Sequence, residues 1–491
     1  MDQVILTIDA GTTSIKVSLF SQALVPLVTS VQEYALHTQN GHIEVAAEQY
    51  LNAVCQGVAA VRQAMPEVAV CAIGITTQGE TLVPVDKTGM PLSNFIVWLD
   101  ARAEQEAQTL CTQLDAQQFY EQTGLPQIQA ALPLAKLLWL QNHHPAVFSA
   151  ADKFLLLEDY LLYWLTGRFV SEKSIQTSTG WFSLVLDDYW PKALAAAGIA
   201  RRKLPELLES GTSVGPLLPT IAALLDLREN TPVIAGAMDQ TAAALAVGST
   251  KPGVVTETTG TALVMTACTE KPIFEKGHHV TIYRHAMPGR YLYLPIGNTA
   301  GMALKWFRDS FCADVAQEGY AAMDALAQQS CPGANAITFL PYLSGSVDPD
   351  SAPNAKAAFF GMTLASTRAD LTRSVLEATG YMMRDFMEML ASLHVATDTV
   401  LSLGGGARSA VWMQIKADIC QKTLYAAQCS EAASEGAALL ALWGTGLCPY
   451  GERPKKNDAA TPFHPNLQNR PAYQQAYLQY QNLYKAVKSL F

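Results

Sequence analysis

Leu6-Thr7-Ile8-Asp9-Ala10-Gly11-Thr12-Thr13-Ser14-Ile15-Lys16-Val17-Ser18-Leu19-Phe20 sets two short apolar segments on either side of a hydroxyl-rich turn. The pattern predicts two strands, with Asp9 closing the first and Gly11 taking a turn position where close backbone approach is cheap. Thr12, Thr13 and Ser14 gather three hydroxyls and several backbone N–H groups around one small space, which suits phosphate oxygens. An acidic residue just before such a turn can hold hydrated Mg²⁺, because that ion prefers one or two carboxylates plus water and substrate phosphates to a full protein cage. Lys16 then balances the remaining charge. Taken alone, the stretch is equally readable as an ordinary first hairpin.

At 491 residues the chain exceeds a single core and is expected to form more than one domain. Its 33 basic and 43 acidic residues give a net charge of -10, which argues against a broad nucleic-acid or anionic-membrane surface. Any bound anion must therefore be captured locally. The nine cysteines are scattered singly, without a CxxC pair, so free thiols in a reducing compartment are expected. No leader-like pattern opens the chain, and the most apolar run, 154–165, is interrupted by Glu158 and Asp159. The expected location is the cytoplasm.

Working outward from the opening turn, residues 31–38 read as a third strand and 46–65 as a helix stopped by Pro66. Residues 68–76 form a near-continuous apolar run, as in a central strand buried on both faces. That strand delivers Thr76-Thr77-Gln78-Gly79-Glu80-Thr81, and a second apolar segment delivers Trp98-Leu99-Asp100-Ala101-Arg102. Polar side chains at strand ends are where α/β sheets hold ligands, so Gln78, Glu80, Trp98, Asp100 and Arg102 are candidates for gripping a small polar substrate. Each is also a common surface or capping residue. Residues 104–165 read as mainly helical, with helices at 132–143 and 154–166, the latter closed by Gly167. A short strand at 232–236 leads into Asp239-Gln240 and an Ala-rich helix, where Asp239 is readable as a catalytic carboxylate or as a helix N-cap.

The opening pattern then recurs. Residues 254–265 again run strand, Thr259-Gly260-Thr261 turn, strand, which implies two related domains, 1–247 and 248–491. Ala300-Gly301 opens a later helix, and Leu403-Gly404-Gly405-Gly406-Ala407-Arg408-Ser409 is a glycine turn between strand and helix where backbone can approach a ligand closely.

In this order the motifs resemble those of the FGGY carbohydrate kinases, relatives of hexokinase, actin and the heat-shock chaperone ATPase domain. Pro133-Leu134-Ala135-Lys136-Leu137-Leu138-Trp139-Leu140 resembles the family's first signature, with Ala131 where an aromatic, Met, Gly or Ser is usual. Ala357 to Met362, followed by Asp370-Leu371-Thr372-Arg373-Ser374-Val375-Leu376-Glu377, resembles the second. The resemblance implies two actin-like (ribonuclease H-like) α/β domains with an interdomain catalytic cleft, the first sugar-binding and the second nucleotide-binding. It implies ATP-dependent transfer of a γ-phosphoryl group to a hydroxyl of a small sugar or polyol, with ATP and Mg²⁺ as cofactors.

On that resemblance Asp239 is the base and Asp9 the metal residue. Gln78, Glu80, Trp98, Asp100 and Gln240 bind the acceptor. Thr12, Thr13, Lys16, Gly260, Thr261, Gly301, Lys305, Gly405, Gly406 and Ser409 line the nucleotide. Gln78-Gly79-Glu80-Thr81 is similar to the glycerol kinase branch, whose Arg in that position is here Gly79, so an acceptor of four to six carbons, such as a ketopentose or tetritol, is expected. Glycerol kinase, or a non-catalytic ATP-binding regulator, is the alternative. A homodimer is the assembly common in such folds, with no nucleic-acid or membrane partner.

Overall fold

The computed structural model describes residues 3–275, 280–427, 429, 431–454 and 460–491. Contacts divide it into two units, the first drawn from Met1–Ala246, Thr281–Leu292 and Glu431–Asn457, the second from Val247–Val280, Tyr293–Ser430 and Asp458–Phe491. These units are not continuous in sequence as the expected 1–247 and 248–491 are, since two later segments pack with the first unit.

The first unit is built on a six-stranded sheet of β1 (Gln3–Ala10), β2 (Ser14–Ser21), β3 (Pro26–Glu33), β4 (Ala69–Thr77), β5 (Ser213–Pro216) and β6 (Pro232–Met238), in the order β5-β6-β4-β1-β2-β3. β1, β2 and β3 form an antiparallel meander, while β4 lies parallel to β1 and β6 parallel to β4. The third strand begins at Pro26 rather than 31, because alternate residues of this edge strand, including Leu27 and Val31, are exposed and leave no buried apolar run to read. Helix Ala47–Ala64 covers one face with Val54, Val58 and Val61 against Val4, Leu6 and Ile8. On the other face Ala438, Leu439 and Leu442 of helix Ala432–Gly444 pack on Ile5, Phe20, Ala72 and Ile234.

Close approach decides two glycines here. A Cβ on Gly74 would stand 2.4 Å from the Ala437 carbonyl oxygen, and one on Gly436 2.0 Å from that of Ala242. This is why a segment so late in sequence can lie flat on the first sheet. Residues 153–156 are also a strand, Lys153–Leu156, pairing antiparallel with Leu82–Val85, and the helix expected from 154 starts only at Leu157.

The second unit repeats the plan. β7 (Gly253–Thr259) and β8 (Leu263–Thr269) form an antiparallel hairpin, β9 (Thr397–Leu403) lies parallel to β7, β10 (Leu424–Ala426) parallel to β9, and β11 (Thr461–Phe463) closes the edge antiparallel. A hairpin followed by parallel additions on its first strand is the ribonuclease H-like arrangement, now present twice. The second signature segment opens the long helix Arg368–Ser392, and its polar residues hold that helix in place. Asp370 takes hydrogen bonds from Ser330 Oγ (2.5 Å), Asn335 (2.7 Å) and Thr367 N (2.9 Å), and buried Glu377 takes them from Arg373 Nε (2.8 Å) and Gly333 N (3.0 Å).

The register of β6 against β4 slips between Ile234 and Ala237, and a Cβ on Gly236 would fall 1.4 Å from the Ile75 carbonyl oxygen. Gly236→Ala is expected to cost roughly 2–4 kcal/mol of unfolding free energy in urea. Gly41→Ala, at φ 80° but with nothing within 4 Å, is expected to cost only about 1 kcal/mol.

Candidate functional site

Two parallel pairings in the first unit fix which side chains share an edge. Asp9 and Ala237 both pair with Thr76, and Ala10 and Met238 both pair with Thr77, so Gly11, Gln78 and Asp239 leave three adjacent strands at one level. The Gln78 N–H donates to the Ala10 carbonyl (3.0 Å), continuing the ladder one residue past the strand. Asp239 opens helix Asp239–Ala246, and its Oδ1 accepts the Gln240 N–H at 2.6 Å. Burial pushes its carboxyl up to about 7, and the nearby Asp9 charge adds to this. Asp9 itself is raised to about 6 by burial, against the pull of Lys16, and accepts the Ser434 hydroxyl at 3.3 Å. Two buried carboxylates at one edge oppose each other's ionisation, the pattern of a proton-handling or cation-binding site.

The segment after β4 adds the polar wall. Gln78 is 4% exposed, yet neither atom of its amide makes a well-formed hydrogen bond, the buried Tyr50 hydroxyl being the nearby polar group that acts on it. Glu80 holds a left-handed φ of 62°, uncommon outside glycine and asparagine. Burial raises its carboxyl to about 7, with Lys136 pulling it down and Asp239 pushing it up. Trp98 donates from Nε1 to Thr12 Oγ1 at 2.9 Å, so the wall and the first turn are tied, and the Thr12 hydroxyl keeps its own proton to donate. Tyr283, from segment Thr281–Leu292, titrates well above its usual range because it is buried and sits near Glu80 and Asp239.

Tyr283 was missed from the sequence, where it stands 44 positions beyond Asp239 with no periodic or turn signal around it. Asp100 needs a correction. Its carboxylate is fully buried and accepts Ile43 N (2.5 Å), Arg102 N (2.9 Å), Arg102 Nε (2.8 Å) and Arg102 Nη2 (2.7 Å), which occupies its lone pairs. Arg102 also reaches Glu44 at 2.8 Å and lies over the Trp139 ring, so this pair is a brace rather than a grip.

In the second unit the Gly260-Thr261 turn is bound to the helix that follows β8. Gly301 N donates to Gly260 O (2.9 Å) and Met302 N to Thr261 O (3.2 Å), and a Cβ on Gly301 would stand 2.3 Å from that Gly260 oxygen. Gly301 thus serves by close approach, its N–H already bonded. Gly404 takes φ 76°, and a Cβ on Gly406 would meet Thr259 Cβ at 2.6 Å, so the glycine turn sits directly on the end of β7. Beneath it Lys416, fully buried, donates to Glu257 Oε1 (2.9 Å) and Thr259 Oγ1 (2.7 Å). Two expected nucleotide contacts are engaged elsewhere. Lys305 is 54% exposed and paired with Asp309 at 2.5 Å, and Ser409 caps helix Ala410–Cys420 through Trp412 N while bonding Asp324 at 2.8 Å.

Each unit thus offers a strand–turn–strand with a hydroxyl turn, and sequence comparison decides the family. The FGGY family of carbohydrate kinases matches through its N-terminal domain at residues 4–246 and its C-terminal domain at 255–445. The chain belongs to the FGGY family of carbohydrate kinases. It is 32% identical to the xylulose kinase of Escherichia coli (strain K12) over 85% of each chain. It is 28% identical to the gluconokinase of Bacillus licheniformis over 91% of this chain and 88% of that one. Among solved structures it resembles the xylulose kinase from Rhodospirillum rubrum, with a TM-score of 0.92 at 26% identity and 99% of each chain covered.

As an FGGY kinase the protein phosphorylates a sugar or polyol. Lys16 bonds Glu431 at 2.7 Å, a partner supplied by the late segment of the same unit. Among the described residues no helix is long and apolar enough to cross a membrane, and none of the nine cysteines is disulfide-bonded.

The Asp239 shift has a measurable sign. A carboxyl raised from 3.8 to about 7 stabilises the fold fully below its unfolded value, and that contribution is lost as pH rises toward 7. Asp239→Asn carries no such loss. Urea unfolding is expected to show the variant gaining stability relative to wild type between pH 4 and 8, by at most about 4 kcal/mol at ~1.36 kcal/mol per unit.

Proposed function

We propose that the protein transfers the γ-phosphoryl group of ATP to a hydroxyl of an uncharged four- to six-carbon sugar or polyol, with a ketopentose or tetritol favoured. The observation that carries this reading is the Gln78 amide, buried beside two carboxylates and without a well-formed hydrogen bond, the Tyr50 hydroxyl being the nearby polar group that acts on it. A buried amide left in this state costs about 1–3 kcal/mol, which a ligand bearing both donors and acceptors recovers. Sugar hydroxyls are such groups, since each donates to Glu80 or Asp239 and accepts from Gln78 or Tyr283.

Asp239 is the proposed base. Its free oxygen accepts the attacking hydroxyl and takes the proton as the new P–O bond forms, and a carboxyl raised to about 7 matches that task near neutral pH. Asp9 fits Mg²⁺ as a single carboxylate whose charge burial disfavours until a cation arrives, the rest of the shell being left to water and phosphate. Bound there, Mg²⁺ supplies charge that offsets the phosphate oxygens. The Thr12-Thr13 turn, Gly260-Thr261 and Gly405-Gly406 are the proposed phosphate and nucleotide contacts, with Gly301 supporting the second turn.

Charge favours a neutral acceptor over an aldonate. Arg102 is engaged with Asp100 and Glu44, Lys16 with Glu431, and Lys136 with two carbonyls, while Glu80 and Asp239 would repel a sugar carboxylate. Gly79 supports an acceptor longer than glycerol. A Cβ there would stand 2.8 Å from Ser178 Oγ, leaving no room for a clamping side chain. The cytoplasm is the proposed location, in keeping with nine cysteines that form no disulfide.

An ADP-release assay over ketopentoses, tetritols, hexoses, gluconate and glycerol tests the reading. Neutral four- to six-carbon acceptors are expected to exceed gluconate in kcat/KM by at least roughly tenfold. Turnover with glycerol alone, or best with gluconate, would overturn the substrate reading. Asp239→Asn is expected to lower turnover by ~10²–10⁴ while Mg-ATP affinity stays within a few-fold. Chelation with EDTA should abolish turnover and added Mg²⁺ restore it.

A further inference from the structure

Lys136 lies in the first signature segment, on helix Pro133–His143, and is fully buried. Buried ammonium groups are ordinarily paired with carboxylates. Here Nζ donates to two backbone carbonyls, Val97 O at 2.9 Å and Glu80 O at 3.3 Å, and among the described residues no carboxylate oxygen lies within 4 Å of it. A desolvated cation held by carbonyls alone is an expensive arrangement, so its position calls for a reason.

Both carbonyls belong to the acceptor wall. Glu80 is the residue with φ 62°, and the Thr81 N–H folds back onto the Gly79 carbonyl at 2.8 Å, so the turn is tight as well as left-handed. Val97 precedes Trp98, whose backbone N–H reaches Thr81 Oγ1 at 3.2 Å and whose Nε1 reaches Thr12. One ammonium therefore clasps the two segments that carry Glu80 and Trp98. We infer that Lys136 is a positioning residue for the acceptor, holding the Glu80 turn in its left-handed form so that the Glu80 carboxylate meets a sugar hydroxyl.

The electrostatics agree with the geometry. Burial lowers the Lys136 ammonium to about 8, with Glu80 and Asp100 holding it up and Arg102 opposing them. Reciprocally, Lys136 is the group that restrains Glu80 from rising above about 7 against burial and Asp239, while Tyr283 is the other titratable group that faces it. Without Lys136 the Glu80 carboxyl would rise further, and a protonated carboxyl is a poorer acceptor for a hydroxyl donor.

This inference rests on the proposed placement of the acceptor at Glu80, and the two can fail separately. Steady-state kinetics with Mg-ATP and the best neutral acceptor of the panel are compared for wild type, Lys136→Met, Lys136→Arg, Glu80→Gln and the Lys136→Met/Glu80→Gln pair. Lys136→Met is expected to raise the acceptor KM at least roughly tenfold while the Mg-ATP KM stays within about twofold. It should also move the acid limb of acceptor kcat/KM upward by at least about half a pH unit, a movement absent when it is made on Glu80→Gln. Lys136→Arg, which keeps the charge, should recover part of the acceptor affinity with the limb in place.

A Lys136→Met that weakens both substrates alike, with an unmoved limb, would show a merely structural lysine and overturn the inference. Should that variant not fold, the milder Lys136→Gln, which keeps donors but not the charge, decides, since a KM ratio and an acid limb that both match wild type overturn the inference equally. A Glu80→Gln with normal acceptor KM sinks instead the placement of the acceptor.

Discussion

The shared register of β1, β4 and β6 is the constraint on which the site depends. Because both outer strands run parallel to β4 and pair with the same two threonines, Gly11 and Asp239, 228 residues apart, leave the sheet at one level, two residues beyond Asp9. A one-residue slip of β6 would turn its buried set outward and carry Asp239 to the wrong face. The slip is blocked by a bulge at Gly236, whose N–H is fixed by Glu158 Oε1 at 3.0 Å from the neighbouring helix. Met238 N is likewise held by Ser174 Oγ (3.1 Å), itself bonded to Glu172. A bulge beside a reactive carboxylate is a common way to aim a side chain that regular pleating would misplace.

Both units support their turns by the same physical means. In the first, Lys136 is buried behind the Glu80 turn; in the second, Lys416 is buried behind Thr259 and pairs with Glu257. A buried cation is costly unless its donors are satisfied in good geometry, and satisfying them requires the surrounding carbonyls and hydroxyls to stay put. Rigidity of this kind suits phosphoryl transfer, where catalysis depends on groups already in position when charge develops. The cost of desolvation thus reappears as order at the turns.

The two signature segments behave differently from what their resemblance value suggests. Their polar side chains serve to hold backbone and helix in place. Asp370, Arg373 and Glu377 bind helix Arg368–Ser392 to its neighbours, and Lys136 acts through the backbone of other residues. Such residues are fixed by packing around the chemistry as firmly as the chemistry itself is fixed by function.

Local features were legible in the sequence because they depend on neighbours in the chain. The strand–turn–strand at Asp9 and its echo at Gly260, the apolar run that became β4, and Asp239 at a strand-to-helix junction all follow from alternation and turn chemistry. The edge strand β3 and the short strand at Lys153–Leu156 did not, since one exposes its apolar residues and the other lasts four residues before a helix. What only the tertiary structure decided is partnership: Glu431 for Lys16, Ser434 for Asp9, Arg102 for Asp100, Tyr283 beside Asp239, and the return of helix Ala432–Gly444 to the first sheet. Buried charges must find compensation wherever the fold brings it, often from hundreds of residues away, and periodicity carries no information about which distant group that will be.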